Sequence, residues 1–362
     1  MNTNIKVSIV VPLYNGERFI ETALRSVLDF NIPWVEFVVV NDGSKDSSES
    51  ICRKYQCDCL QYISIENSGA GYARNRGIEA ARGEWVTFLD SDDMMFGSEF
   101  DAEWLEYLNS QYNSGTDIIY MPKVECDMEL TGSPQITYPE NVADIVNFIP
   151  KIEFWSCFYR TSYLRDNNIH FFEYQKQDVE SAFRFKTFSN TEKIVVKSDK
   201  VFIVHRNNPT SNVNTWKVDD LYEIKARVYL QLFEEFHNKV SSVSRWLYGE
   251  YAYFLRGLIL NSLHNGFPKA GEGQLREMIM DYAPVIRKEN NTPISLKNKV
   301  FFALVRLLKK EFVWKIFANI CKRKIRQVTI KDTKNIYKFD DTETLLDRLK
   351  DYRLTVYKEL KK

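Results

Sequence analysis

The sequence predicts an α/β protein in which a mainly parallel sheet is followed by a helical C-terminal region. In the first part of the chain, short apolar runs alternate with amphipathic segments, which favours a doubly wound sheet with right-handed crossovers. From Trp216 onward, apolar residues recur almost wholly at helical spacing. Turn-forming residues cluster between Asn207 and Asn214, so we predict two domains, at residues 1–212 and 213–362.

Four strands of the sheet are predicted from runs of apolar residues, many of them β-branched, as expected for strands buried on both faces. These runs are Val7–Val11, Val35–Val40, Leu60–Ile65 and Trp85–Leu89. Amphipathic periodicity predicts the helices between them at Gly16–Asp29, Ser47–Tyr55 and Gly69–Arg82. The later pattern is mixed, with strands at Ile118–Tyr120 and within Lys193–Val204, and helices at Thr161–Asn167 and Val179–Phe188.

Charge and cysteine content narrow the class of protein. The 49 lysines and arginines balance the 49 acids, whereas nucleic-acid-binding proteins more often have a basic excess, so we expect no nucleic acid partner. None of the six cysteines forms a C-x-x-C pair, which argues against a zinc site and favours reduced thiols in a cytoplasmic protein. No apolar run reaches the roughly 18 residues of a membrane-spanning helix, and no signal peptide is expected.

A polar cluster follows each of the four predicted strands. The clusters are Pro12-Leu13-Tyr14-Asn15-Gly16, Asn41-Asp42-Gly43-Ser44, Glu66-Asn67-Ser68-Gly69-Ala70-Gly71 and Asp90-Ser91-Asp92-Asp93. Each of them alone is consistent with ordinary turn chemistry. Parallel strands bring their carboxyl ends to one edge of the sheet, where ligands bind in open α/β folds. Together the clusters predict a binding site at that edge.

The Asp90-Ser91-Asp92 cluster predicts a divalent cation. Two carboxylates one residue apart at a strand end repel each other, and a hard cation such as Mg²⁺ or Mn²⁺ relieves that repulsion. The alternative is a solvated acidic turn. Nearby, Ser68-Gly69-Ala70-Gly71 opens the helix that carries Arg74, and its small residues allow an anion to approach the helix N-terminus. The first strand-to-helix turn lacks the G-x-G-x-x-G of dinucleotide-binding proteins.

These blocks resemble, in order, the signature blocks of the family 2 glycosyltransferases. The matching segments are Val-Val-Pro-Leu-Tyr-Asn, Val-Asn-Asp-Gly-Ser, Asn-Ser-Gly-Ala-Gly-Tyr-Ala-Arg-Asn-Arg-Gly and Phe-Leu-Asp-Ser-Asp-Asp. The resemblance covers roughly Lys6 to Ser211. It implies the GT-A fold and transfer of a sugar from a nucleotide donor, with UDP as the expected nucleotide.

The resemblance also implies roles for single residues. Pro12, Tyr14 and Asn15 are expected to line the nucleotide pocket, and Asp42 to pair with the uracil edge. The loop at Gly69 and the side chain of Arg74 are expected to contact the base or phosphates. Asp90 is expected at the ribose, Ser91 elsewhere in the nucleotide pocket, and Asp92 at the metal, Mn²⁺ or Mg²⁺, that bridges the diphosphate.

An inverting transfer needs a carboxylate that accepts the proton of the acceptor hydroxyl. The family places it in a Glu-Asp pair before an aromatic residue, and this chain reads Gln177-Asp178-Val179-Glu180-Ser181. Asp178 matches the aspartate and is the predicted base, with Glu180 and Glu173 as rivals. Asp178 could instead only cap the following helix.

The segment His205-Arg206 resembles a later tyrosine-arginine block of the family. Arg206 is predicted to clamp the diphosphate. His205 replaces the tyrosine, and it is either a metal ligand or a histidine whose bonds are satisfied within the fold. Trp155 could stack on a sugar face.

The segment Leu296–Arg326 carries many basic residues and a single acid, Glu311, interleaved with apolar and aromatic residues. This pattern predicts a basic amphipathic helix, which either lies on an anionic membrane surface or packs against the rest of the chain. The family resemblance implies a lipid-linked glycan acceptor, as for many relatives in bacterial surface polysaccharide assembly. Such an acceptor would make the enzyme peripheral on the inner face of the cell membrane.

Two other functions fit parts of the pattern. A nucleotidyltransferase that forms a sugar nucleotide would need a glycine-rich, basic loop after the first strand, which Pro12-Leu13-Tyr14-Asn15 does not provide. A non-catalytic sugar-nucleotide-binding module would not need both Asp92 and Asp178. The sequence therefore favours a metal-dependent glycosyltransferase.

Overall fold

The structure is a computed structural model. It describes residues 5–55, 57–128, 135–137, 153–172, 179–208 and 296–322, together with a few helical residues between 225 and 280. The described residues up to Asn208 belong to one compact unit, and those from Lys225 to Lys322 belong to a second. The predicted boundary after residue 212 falls outside the described residues and stays a prediction.

The predicted mainly parallel sheet with flanking helices is confirmed. Its first half comprises β1 (Val7–Leu13), α1 (Ile20–Leu28), β2 (Val35–Asp42), α2 (Ser48–Cys52), β3 (Leu60–Ile65), α3 (Ala70–Ala80) and β4 (Trp85–Phe88). Strands β1, β2, β3 and β4 all run parallel. Strands β1, β2 and β4 are almost entirely buried, as their unbroken apolar runs predict.

The second half of the first unit completes this sheet and adds a smaller one. The elements are β5 (Met94–Met95), α4 (Ala102–Asn113), β6 (Ile118–Tyr120), β7 (Lys123–Asp127), β8 (Gln135–Thr137), β9 (Cys157–Arg160), α5 (Thr161–Asp166), α6 (Val179–Ser189), β10 (Ile194–Val196) and β11 (Ile203–Asn207). The large sheet has the order β10-β6-β9-β4-β1-β2-β3, and the small sheet has the order β5-β11-β7-β8. Strand β9 is antiparallel to both of its neighbours.

The core between sheet and helices is rich in aromatic rings. Phe88 of β4 contacts four aromatic residues, among them Phe154 at 5.5 Å and Phe171 at 5.3 Å between ring centroids. Phe171 and Phe183 stack at 3.9 Å. This cluster lies beneath the carboxyl end of β4, so it gives a rigid base to the loop that follows that strand.

Two predictions about local structure are wrong. The segment Leu296–Arg326 forms two helices within its described part, α7 (Leu296–Leu308) and α8 (Glu311–Lys322), because the chain turns at Lys309 and Lys310. Cys57 and Cys59, predicted to be reduced, form a disulfide, because the turn before β3 brings their Cα atoms to 5.1 Å. Cys52, Cys126 and Cys157 are free and buried.

No helix among the described residues is long and apolar enough to cross a bilayer.

Candidate active site

The loops after β1 and β2 are tied to each other by hydrogen bonds. The backbone N–H of Asn15 donates to Ser44 Oγ at 3.0 Å, and the N–H of Lys45 donates to Asn15 Oδ1 at 2.8 Å. The N–H of Gly16 donates to Ser48 Oγ at 2.9 Å. Tyr14, beside them, is 52% exposed. The first two predicted clusters therefore form one surface, with an aromatic side chain free to meet a ligand.

The loop after β1 also lies against the loop after β4. A Cβ on Gly16 would lie 2.7 Å from Leu13 Cδ1 and 3.3 Å from Ser91 Oγ, so a glycine allows the two loops to approach. Pro12 and Ser91 are both half-buried. Three of the predicted nucleotide-binding residues thus lie at the carboxyl edge of the sheet, with Pro12 near the end of β1 and Asn15 and Ser91 on the adjoining loops.

Asp42 holds the start of α3. Its carboxylate accepts the backbone N–H groups of Ser68 at 2.6 Å and Gly69 at 2.9 Å. Gly69 has φ 96° and ψ 157°, a conformation that side chains strongly disfavour. Asp42 is only 3% exposed. It positions the small-residue loop at the helix N-terminus, and its role at a uracil edge stays a prediction.

Arg74 lies at the centre of the site and is 4% exposed. Its Nη2 donates to Asp90 Oδ1 at 2.7 Å, and its Nη1 is 3.8 Å from Glu180 Oε1. Its guanidinium also lies 4.6 Å from the ring centroid of Phe154 and 5.3 Å from that of Phe171. Such packing fixes the guanidinium in position, so Asp90 and Arg74 act as one preorganised pair.

Glu180 joins this pair from the first turn of α6. About a third of its side chain is exposed, at 33%. Burial raises the pKa of Glu180, and the charge of Arg74 opposes that rise. Glu180, one of the two rivals for the base, is thus placed at the site. Asp178, the predicted base, and Glu173, the other rival, lie outside the described residues.

Arg206 joins β11 to the loop after β4. Its backbone N–H donates to Asp93 Oδ1 at 2.8 Å, and its Nε donates to the carbonyl oxygen of Asp92. Among the described residues, its buried Nη2 has no hydrogen-bond partner. A buried donor without a partner is costly, so this guanidinium is suited to an anionic ligand.

His205 points to Asp93, the residue next to the predicted metal ligand. Its Nδ1 lies 2.9 Å from Asp93 Oδ2, and its ring stacks on Trp155 with centroids 5.1 Å apart. Burial lowers the pKa of His205, but the hydrogen bond and charge of Asp93 outweigh this effect and raise the pKa to about 9. Trp155 is 6% exposed and already stacked, so it has no open face for a sugar, contrary to the suggestion from sequence.

The described residues supply only part of a metal site. No group of three or more histidine, cysteine, aspartate or glutamate side chains is arranged to hold an ion among them. Asp92 is half-buried, and its Oδ2 accepts Asn208 Nδ2 at 2.9 Å. Because Nδ1 of His205 is bonded to a carboxylate, only Nε2 is left to bind a metal. Metal-bound histidines usually have this arrangement. The residues fit an ion that completes its shell with water and substrate phosphates, as Mg²⁺ commonly does.

The sequence did not single out Asp93 and Asn208. Asp93 is only 1% exposed and binds both His205 and Arg206. The four consecutive polar residues after a buried strand, Asp90 to Asp93, could have indicated that one of them turns inward. No signal in the sequence pointed to the bond from Asn208 to Asp92.

Comparison with known proteins adds family relationships to this geometry. Residues 8–175 match the family model described as glycosyl transferase family 2. The chain is 28% identical over 238 residues to the poly(ribitol-phosphate) beta-N-acetylglucosaminyltransferase TarS of Staphylococcus aureus, covering 63% of this chain and 40% of that protein. It is 31% identical over 217 residues to the uncharacterized glycosyltransferase EpsJ of Bacillus subtilis, covering 57% of this chain and 62% of that protein. The chain thus spans less than two thirds of either relative.

A solved structure shows the same fold. The crystal structure of S. aureus TarS 1-349 in complex with UDP-GlcNAc has a TM-score of 0.58 and 23% sequence identity, covering 88% of this chain and 90% of that chain. The fold is therefore the GT-A fold that the sequence resemblance implied.

Proposed function

Since residues 8–175 match the model of glycosyl transferase family 2, we propose that the chain transfers a sugar from a nucleotide diphosphate donor to an acceptor hydroxyl. The observation that carries this proposal is the pair of buried arginines at the loop after β4. Arg74 is bonded to Asp90 and Arg206 to the carbonyl of Asp92, so cations and carboxylates converge where a diphosphate would lie. UDP is the proposed nucleotide, supported by the UDP-GlcNAc complex of the TarS structure.

We propose that Asp92 and, through Nε2, His205 hold a Mn²⁺ or Mg²⁺ ion. When bound, this ion would stabilise the negative charge that grows on the diphosphate as the sugar leaves. Arg206 would add a charge-assisted hydrogen bond to the same oxygens. Pro12, Tyr14, Asn15 and Ser91 would line the nucleotide pocket, with Asp42 at the uracil edge and Asp90 at the ribose.

Asp178 is the proposed base. Its carboxylate would accept the proton of the acceptor hydroxyl while that oxygen attacks the anomeric carbon on the face opposite the diphosphate. The bond from the anomeric carbon to the diphosphate oxygen breaks in the same step, so the configuration inverts. Glu180 is a weaker candidate, because it already faces Arg74.

The proposed acceptor is a glycan of a bacterial surface polysaccharide, carried on a lipid. The curated name of TarS, which acts on poly(ribitol-phosphate), supports this class of acceptor. Transfer of a hexose or an N-acetylhexosamine in capsule, O-antigen or exopolysaccharide synthesis would fit. A lipid-linked acceptor would place the enzyme in the cytoplasm, peripheral on the inner face of the cell membrane.

The test is a panel of nucleotide sugars with Mn²⁺, read as nucleoside diphosphate released with and without acceptor. We expect release from at least one UDP-sugar, loss of release when the metal is chelated, and loss of metal-dependent donor binding in Asp92→Ala. Asp199→Ala is the matched control, because its carboxylate is exposed and pairs only with Lys197 among the described side chains. Diphosphate release by Asp92→Ala at the unaltered rate would refute the metal site.

The base is tested by Asp178→Asn, with Glu180→Gln and Glu173→Gln made in parallel. Asp178→Asn should bind donor with unaltered affinity and lose transfer by about two to four orders of magnitude. If Asp178→Asn transfers sugar normally, the base is instead the rival glutamate whose glutamine variant loses transfer. Pyrophosphate formation from UTP and a sugar phosphate would instead favour a nucleotidyltransferase, and binding without turnover would favour a non-catalytic module.

A further inference from the structure

Helices α7 and α8 contact each other, and each buries one side. Phe301, Val305 and Leu308 are buried on α7, at the spacing of one helical face. On α8 the buried residues are Trp314, Phe317 and Ala318. The buried residues of these two faces explain why apolar residues recur at helical spacing in this segment. They pack inside the protein and are not available to a partner.

A second set of apolar residues remains exposed on the same two helices. Phe312 is 74% exposed, Leu307 48%, Ile316 47% and Leu304 39%. Leu304 and Leu307 are three residues apart on α7, and Phe312 and Ile316 are four apart on α8, so each pair shares a helix face. Large exposed apolar side chains that share a helix face indicate a binding partner. We call these four residues the apolar patch.

Basic side chains accompany the apolar patch. Arg306, Lys310 and Lys315 are exposed beside it in sequence. The single acid of the two helices, Glu311, is bonded to Arg276 and lies 3.8 Å from Lys315, so its charge is balanced. The surface therefore combines positive charge with exposed apolar side chains. A partner that matches both must be anionic and apolar.

We propose that the apolar patch inserts into the interfacial region of an anionic lipid bilayer while Arg306, Lys310 and Lys315 contact its headgroups. Helices that bind a bilayer surface have this combination of aromatic and aliphatic anchors with lysine and arginine. The residues that anchor the protein are thus distinct from those that pack α7 against α8. This inference does not depend on the proposed transfer, because none of the proposed site residues lies on these helices.

The test is sedimentation of the full chain with vesicles of phosphatidylcholine alone or mixed with phosphatidylglycerol. We expect binding to the mixed vesicles only, and a loss of at least about tenfold in partitioning for the double variant F312S/I316S. Leu260→Ser is the matched control, because Leu260 is 46% exposed but lies on neither helix. A charge variant, R306E/K310E/K315E, should lose binding and leave the patch intact.

Several outcomes would overturn the proposal. They are unaltered partitioning of either variant with native circular dichroism, equal loss in Leu260→Ser, or equal binding to phosphatidylcholine alone. A lipid-free dimer that F312S/I316S converts to a monomer, without any vesicle binding, would show that the patch joins two copies instead. Diphosphate release toward water or a soluble acceptor should stay unaltered in every variant, which separates this test from that of the transfer.

Discussion

At the scale of single residues, the site depends on which carboxylates are buried. Asp90 and Asp92 are half-buried at the end of β4, whereas Asp93 is 1% exposed. Burial raises the pKa of Asp93 to about 6, although the hydrogen bond from His205 opposes the rise. Three carboxylates in four residues repel one another, so the neighbouring Arg74, His205 and Arg206 are needed to hold this loop in place.

Replacing Arg74 tests whether basic side chains offset the repulsion between these carboxylates. Arg74→Ala leaves Asp90 and Glu180 without their shared cation. We expect the free energy of unfolding to fall by about 1–3 kcal/mol. This loss is smaller than for a fully buried ion pair, because both acids are partly exposed. UDP binding should weaken at the same time. Urea denaturation and calorimetric titration measure the two effects.

The control for this variant is Arg76→Ala on the same helix. The Arg76 side chain is 45% exposed and pairs with Glu79 one turn away. We expect a change of less than about 1 kcal/mol there, as for exposed ion pairs in general. Equal effects of the two variants would mean that Arg74 does not organise the site.

At the scale of elements, the sequence predicted the parallel half of the sheet well. Strand Leu60–Ile65 was predicted with its observed limits, and the other three begin at the predicted residue. Long apolar runs determine such strands locally. The reversed strand β9 was not predicted, because its direction follows from pairing with β4 and β6, which are distant in sequence. Helix α1 begins at Ile20 and not at the predicted Gly16, since residues 16–19 form the loop that binds Ser48.

Helix α4 offers a test of stability against pH. Asp101 caps it by accepting the N–H of Trp104 at 2.7 Å, and it also accepts Lys200 Nζ at 2.7 Å. Burial opposes ionisation of Asp101, but the bonds from Lys200 and Trp104 outweigh it and lower its pKa. A lowered carboxyl pKa stabilises the fold above the unfolded value of about 3.9, and this stabilisation is lost as pH falls through the folded value.

We therefore expect Asp101→Ala to be about 1 kcal/mol less stable than the wild type at neutral pH. The difference should shrink as pH falls from about 4 through the lowered pKa of the folded state, where the carboxyl of the folded wild type becomes protonated. Urea denaturation at a series of pH values measures it. If the stability difference between the wild type and Asp101→Ala stays constant down to the lowest pH, the ionised Asp101 carboxylate does not stabilise the fold.

At the scale of the whole molecule, all described site residues precede Asn208, and the exposed apolar patch lies in the second compact unit. The sequence located the loops of the site, because polar residues after buried strands are a local signal. It did not predict that Trp155 would cover His205, or that Asp93 would turn inward, since both depend on the pairing of β11 with β7.

This division predicts that the two proposed activities, nucleotide binding and membrane binding, can be separated. A fragment of residues 1–212 should bind UDP with an affinity close to that of the full chain, and it should not bind anionic vesicles. Calorimetry and vesicle sedimentation on the same preparation measure both. A folded fragment that has lost UDP binding would show that the second unit completes the nucleotide site.

Strand β11 connects the loop after β4 to the small sheet. Asp93 takes one bond from the His205 side chain and one from the Arg206 main chain, while β11 pairs along its length with β7 in the small sheet. The loop after β4 and the small sheet are therefore held together by these hydrogen bonds, so a shift of either one requires the bonds to stretch or break. Glu125 lies opposite His205 on β7 and belongs to the same connected set of strands.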